Sequence, residues 1–122
     1  MVSEDGMRAA LQAYIDLFNA GDGGGLAALF ADDARIEDPV GGAKTVRGRA
    51  EIDAFYHRAV QIVERLELSA AIRASYGRFA AMAFEIQMRH DERVIRVIDV
   101  MEFNAAGEIV EMKAYHGPGD VL

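Results

Sequence analysis

The sequence contains no cysteine, which excludes disulfides and thiolate metal sites. It also has no apolar run long enough to cross a bilayer. The first six residues include two acids and no basic residue, and no apolar segment follows them, so we expect no signal peptide. Basic residues are outnumbered 13 to 20 by acidic ones, and the net charge of −7 argues against nucleic acid or an anionic membrane as a partner. These absences together favour a protein of the reducing cytoplasm.

Proline is scarce too, with only two residues, and no low-complexity tract marks a linker or a repeat. Just over half of the 122 residues are apolar, which is enough to build a real core. We therefore expect a single domain over residues 1–122.

Periodicity divides the chain into a helical first half and a second half of strands. Apolar residues at helical spacing predict a helix capped by Ser3 or Asp5, a short helix after a flexible glycine joint, and a third helix after Gly48. Strict alternation later predicts successive strands. The predicted helices run to about residue 18, over 26–30 and over 49–63; the predicted strands cover 34–38, 45–47, 66–75, 80–89, 94–103 and 109–116. This order predicts an α+β fold, in which three helices and a curved antiparallel sheet form a cone around an apolar pocket.

One strand carries an acid on its apolar face. Because successive side chains point to opposite faces, Asp99 lies in phase with Ile95, Val97, Met101 and Phe103. An ionised carboxylate there would lose its hydration, so we expect Asp99 to keep its proton and to act as a hydrogen-bond donor.

Two further polar side chains lie on otherwise apolar surfaces, Tyr14 on the first helix and Asp38 at a strand end. Two donors and one carboxylate are what proton abstraction next to a carbonyl requires. Each residue also has a plainer interpretation. Tyr14 could be a core tyrosine, Asp38 a turn aspartate, and Asp99 the partner of Arg73 or Arg89 on a neighbouring strand.

Five segments then carry a family resemblance that covers essentially the whole chain in order: Tyr14–Leu17, Ala31–Pro39, Gly48–Tyr56, Val97–Met101 and Met112–Tyr115. Together they closely resemble the ketosteroid isomerase family, the steroid Δ5-isomerases of the SnoaL-like fold that includes nuclear transport factor 2. The specific part is the joint presence of Tyr14, Glu37-Asp38-Pro39 and Ile98-Asp99-Val100-Met101.

The resemblance implies that a 3-oxo-Δ5-steroid becomes its 3-oxo-Δ4 isomer through a dienolate, without cofactor or metal. Asp38 would carry the proton from C4 to C6, while Tyr14 and protonated Asp99 would form the oxyanion hole. Tyr56 would support Tyr14, and the network should end there, because Phe30 stands where well-known members have a further tyrosine. A homodimer across the sheet face is also implied.

The predicted ligand is an apolar, steroid-like molecule. His116 stands where some family members have an aromatic residue that packs on the steroid, and the three histidines lack metal-like spacing, so we place them at a rim or surface. Alternation alone puts the methionines in the core, and the resemblance adds ligand contact. The predicted substrate-binding residues are Phe55, Met82, Phe84, Met101, Met112 and His116.

Two other functions stay open. A polyketide cyclase or dehydratase of the same fold would predict a His–Asp pair in the pocket, for which His116 is the one histidine that we can nominate. A non-catalytic module that binds apolar ligands would tolerate the loss of any polar pocket residue.

Overall fold

The computed structural model describes residues 2–42 and 44–122. Met1, in the acidic first segment, and Ala43, in the loop predicted over 40–44, lie outside the described residues. The first helix begins after Ser3, whose Oγ accepts a hydrogen bond from the Gly6 N–H at 2.9 Å, so the first of the two predicted caps is confirmed. The helices are α1 (Glu4–Asn19), α2 (Gly23–Ala28) and α3 (Arg49–Ile62).

The glycines at 23–25 form the first turn of α2, so their prediction as a flexible joint is wrong. Asp22 caps this turn by accepting a hydrogen bond from the Gly25 N–H at 2.8 Å. A Cβ on Gly23 would lie 3.0 Å from the Cα of His57 on α3. Glycine is therefore needed for α2 to approach α3 this closely.

Seven strands form one curved, unclosed sheet. Its order is β2-β1-β7-β6-β5-β3, and β4 pairs with β5. The strands are β1 (Phe30–Glu37), β2 (Thr45–Arg47), β3 (Val63–Leu68), β4 (Arg73–Ala74), β5 (Phe79–Met88), β6 (Val94–Phe103) and β7 (Ile109–Tyr115).

One pairing departs from the predicted antiparallel sheet. The meander β5–β6–β7 is antiparallel as predicted, but β1 lies parallel to β7, with Glu37 opposite Lys113. Parallel strands end at the same edge of a sheet. Asp38, directly after β1, and His116, directly after β7, therefore emerge side by side.

The predicted strand over 66–75 is broken in two. Ser69 still donates its N–H to the Ala83 carbonyl at 2.9 Å, but the sheet pairing then lapses until Arg73. Three of the four residues in the gap, Ser69, Ala70 and Ala71, are small and have weak strand preference, which explains why alternation alone misled the prediction. Val63, predicted on the last turn of the third helix, instead begins β3.

The helices cover the inner face of the sheet, and the core lies between the two layers. On β6 the predicted alternation is confirmed, since Val97, Asp99 and Met101 are buried while Ile98 is 50% exposed. Within residues 2–42 and 44–122, no helix has the length and apolar character to cross a membrane.

Candidate active site

A cavity of about 360 Å³ opens between α1, α3 and the inner face of the sheet. Most of its wall is apolar, and its polar residues include Tyr14, Asp38, Asp99 and His116, so the structure brings the predicted trio to one cavity. The apolar lining residues are Phe18, Phe55, Ala59, Ile62, Val63, Leu66, Phe84, Ile86, Met88, Ile95 and Val97.

Asp99 lies at the inner end of this cavity. In the β5–β6 register, the pairs Ile86–Ile95 and Phe84–Val97 line the cavity, and Asp99 is the next inward-facing residue along β6. Beyond it, inward-facing side chains belong to the filled core. Asp99 therefore marks the boundary between open cavity and packed interior.

The cavity stops short of three residues predicted to contact the ligand. Met82, Met101 and Met112 are at most 2% exposed and do not line it, so that part of the prediction is corrected. Met82 lies directly opposite Asp99 in the β5–β6 register, and the Met101–Met112 pair lies one step further in, within the packed core. Phe55 and Phe84 do line the cavity, as expected.

Asp99 is a carboxyl group without a protein partner. It is 1% exposed, and its Oδ2 has no hydrogen-bond partner among the described residues. Burial raises the pKa of Asp99 well above its ordinary value, and the nearby Asp38 carboxylate raises it further. Arg89 pairs with Glu64 instead, so the alternative in which this arginine neutralises Asp99 is excluded. A neutral acid whose proton has no acceptor can donate it to a ligand oxygen.

The hydroxyl of Tyr14 is held beside that of Tyr56, with 3.0 Å between the two oxygens. Burial raises the pKa of both phenols well above the ordinary value, so both keep their protons. Met112 Sδ, a weak acceptor, lies 3.5 Å from the Tyr56 oxygen, one residue beyond the predicted end of the network. Tyr56 has a single proton, and when it donates this proton to the Tyr14 oxygen, the Tyr14 proton is free for a ligand. Phe30 contributes only its ring, which packs against Tyr56 at 5.4 Å between centroids.

Asp38 has the more open environment of the two cavity acids, with a side chain that is 28% exposed. Its Oδ1 lies 3.0 Å from Nε2 of His116, which is itself 23% exposed. We predicted His116 as a rim residue and nominated it for a His–Asp pair only under the cyclase or dehydratase alternative, without naming Asp38 as its partner. The contact between Asp38 and His116 could not be predicted, because it depends on the parallel pairing of β1 with β7, which alternation along the chain does not reveal.

Two basic residues also line the cavity and were missed from the sequence, Lys44 and Arg58. Both are exposed. Within the described ranges, His, Asp and Glu side chains do not gather in any group of three or more that could hold a metal ion.

Comparisons with known proteins agree with this architecture. The SnoaL-like domain matches residues 11–112. The chain is 41% identical to a steroid Δ-isomerase from Nocardioides simplex over 118 residues, covering 95% of this chain and 94% of that protein. The structure superimposes with a TM-score of 0.90 on SalBIII, an epoxide hydrolase/cyclase-like enzyme with a role in pyran ring formation in the polyether salinomycin. That similarity has 26% identity and covers 99% and 98% of the two chains.

A curved sheet, three covering helices and an apolar cavity with polar groups at its inner end define a SnoaL-like protein, and this chain belongs to that family. Within the family, the extended similarity to a steroid Δ-isomerase confirms the resemblance to the ketosteroid isomerases that the sequence motifs indicated.

Proposed function

We propose that this protein is a cofactor-independent steroid Δ5-isomerase that converts a 3-oxo-Δ5-steroid to the conjugated 3-oxo-Δ4 isomer. The observation that carries the proposal is the contrast between two acids in one apolar cavity. Asp99 is buried, and that burial raises its pKa well above the ordinary value, while the Asp38 side chain is partly open to water. The steroid Δ-isomerase relative supports an enzyme of the isomerase kind.

In the proposed reaction the Asp38 carboxylate removes a proton from C4. The C4–H bond breaks, a carboxyl O–H bond forms, and the electron pair moves through C3 to the ketone oxygen. Tyr14 and Asp99 donate hydrogen bonds to this oxygen as its negative charge grows. Asp38 then returns the same proton to C6, and the charge flows back to restore the ketone. No proton or electron is gained or lost overall.

The direct test is ultraviolet detection of the conjugated enone formed from 5-androstene-3,17-dione. We expect turnover by the wild-type protein. Asp38→Asn should still bind the steroid but form almost no enone. If the wild-type protein leaves this substrate unchanged, the isomerase proposal is wrong.

The pair formed by Asp38 and His116 favours a second candidate, a cyclase or epoxide hydrolase type of reaction. An imidazole beside a carboxylate can activate a hydroxyl or a water molecule, and the similar SalBIII structure is of an epoxide hydrolase/cyclase-like enzyme. In that reaction the imidazole would be indispensable, whereas isomerisation needs only the carboxylate as a base. Enone formation that survives in His116→Phe therefore favours the isomerase.

We also propose the homodimer that the family resemblance implies. Ile98 and Tyr115 are neighbours in the β6–β7 register, and they are 50% and 45% exposed on the outer face of the sheet. Exposed apolar side chains of this kind mark contact surfaces. Sedimentation of the wild-type protein should show a dimer, and Ile98→Lys should weaken it. A wild-type monomer at all concentrations would contradict this. A cytoplasmic location stays a prediction.

A further inference from the structure

The residue outside the predicted trio that most directly affects the chemistry is His116. Its Nε2 lies 3.0 Å from Asp38 Oδ1, and both side chains line the cavity. An ionised carboxylate can only accept hydrogen bonds, so Nε2 must carry the hydrogen in this pair. His116 is therefore a donor to the proposed base.

The contact leaves the two oxygens of Asp38 unequal. Oδ1 is bonded to His116, while Oδ2 has no hydrogen-bond partner in the described part of the chain. We propose that His116 is a positioning residue for Asp38, which fixes the carboxylate by Oδ1 and leaves Oδ2 to carry the proton between C4 and C6. This inference rests on the proposed isomerase function. A base held in a reactive orientation reaches the transition state at a smaller entropic cost.

Other charged and titratable groups surround this pair. The further such residues of the cavity wall are Tyr14 on α1, Lys44 in the loop after β1, Arg58 on α3 and Asp99 on β6. On its other side, His116 shares a surface depression with Arg96, Tyr115 and Asp120. The one group within ion-pair distance of His116, among the described residues, is Asp38. Asp38 is therefore the acceptor that faces Nε2 of His116.

The experiment measures kcat and KM for the wild-type protein, His116→Gln and His116→Phe, with 5-androstene-3,17-dione as substrate. Glutamine retains an N–H donor, and phenylalanine does not. We expect a kcat loss of about three- to tenfold in His116→Phe, the size of one lost hydrogen bond. His116→Gln should recover most of this loss. KM should change less than kcat, because the contact orients the base rather than the steroid.

A second measurement does not depend on turnover. The hydrogen-bonded Nε2 proton of His116 should give a downfield signal in proton NMR, and this signal should be lost in Asp38→Ala, which removes the acceptor. Equal kcat losses in both His116 variants would indicate a packing role and overturn the proposal. So would an Nε2 proton signal that is unchanged in Asp38→Ala. If the wild-type protein forms no enone, the isomerase function fails, while the NMR signal still decides whether the pair exists.

A separate observation concerns the outer part of the cavity. Lys44 and Arg58 line it, and neither has an ion-pair partner among the described residues, in a protein whose net charge is −7. Eight other basic residues do have carboxylate partners: Arg8, Arg35, Arg49, Arg78, Arg89, Arg93, Arg96 and Lys113.

These two cations are exposed to solvent, whereas the two donors are buried. Tyr14 and Asp99 are 3% and 1% exposed at the inner end, whereas Lys44 and Arg58 are exposed. A ligand whose ketone reaches the donors would extend its other end towards the cations. We infer that the substrate is a 3-oxo-Δ5-steroid with a carboxylate at the end remote from the ketone. This second inference also rests on the proposed function.

The test compares 3-oxo-5-androstene-17-carboxylate with its methyl ester, which differs in charge. We expect a KM for the carboxylate about tenfold lower at low salt, and the preference should shrink as salt screens the cations. The double variant Lys44→Ala/Arg58→Ala should lose the preference. Arg65→Ala removes an exposed cation outside the cavity that has no carboxylate partner in the described part of the chain, and it should keep the preference. Equal KM values for acid and ester would overturn this inference, whereas absence of turnover with both, and with the dione, would instead overturn the isomerase function.

Discussion

The two ends of the cavity use the same functional group in opposite ways. At the inner end, Asp99 is surrounded by apolar side chains, and burial raises its pKa well above the ordinary value. On the more open side, Asp38 has water and the His116 ring as its surroundings. Identical carboxyl groups can thus serve as donor and base, because their exposure differs rather than their chemistry. Substitutions of either acid should therefore test this contrast.

The largest expected effect comes from removing the charge of the partly exposed acid, Asp38. Asp38→Asn keeps the shape of the side chain but cannot accept a proton from carbon. We expect kcat to fall by about 10²–10⁴-fold, the usual contribution of a positioned base. Steroid binding, followed by fluorescence or calorimetry, should remain. Glu37→Gln is the matched control, and unchanged turnover in Asp38→Asn would end its assignment as the base.

The next effect comes from the buried acid. Asp99→Ala removes one of two oxyanion donors and should lower kcat by about 10²–10³-fold. Asp99→Asn retains an N–H donor and should lie between the alanine variant and the wild-type protein. An alanine variant within a factor of about three of wild type would mean that Asp99 is not a donor.

The contrast between the acids should also appear in stability. The raised pKa of Asp99 means that the folded protein holds a proton that the unfolded chain releases above about pH 4. Its stabilising contribution is therefore complete below that pH and is lost as the pH rises towards the folded-state pKa. The slope is at most about 1.4 kcal/mol per pH unit. Urea unfolding from about pH 5 to about pH 8 should show Asp99→Asn gaining stability relative to wild type. The exposed control Asp33→Asn should run parallel to wild type, and a parallel Asp99→Asn would contradict the prediction.

The smallest effect concerns the partner of Tyr14. Tyr56→Phe removes the hydroxyl 3.0 Å from the Tyr14 hydroxyl and should reduce kcat by about three- to tenfold. Met112→Leu removes only the weak sulfur acceptor behind Tyr56 and should stay within about twofold. Equal losses in the two variants would point to packing rather than to the hydrogen bond.

Much of the inner end could be predicted from the sequence. Alternation along β6 placed Asp99 among apolar residues, and helical spacing placed Tyr14 on the buried side of α1; both placements are confirmed. These patterns are local, because the direction of a side chain follows from the backbone within a few residues. Alternation correctly placed Met82, Met101 and Met112 in the core, and only the family resemblance added ligand contact. Alternation could not show where the cavity ends along a strand, so it could not test that addition.

The sequence by itself determined which face of each element is apolar, and hence that Asp99 would be buried. Only the tertiary structure decided that His116 would meet Asp38, 78 positions apart in the chain. The reason is the parallel alignment of β1 with β7, which brings two distant strand ends to one edge of the sheet. The pairing of two distant strands produces no periodic pattern in the sequence of either strand. Burial of one face, in contrast, places an apolar residue at every second position.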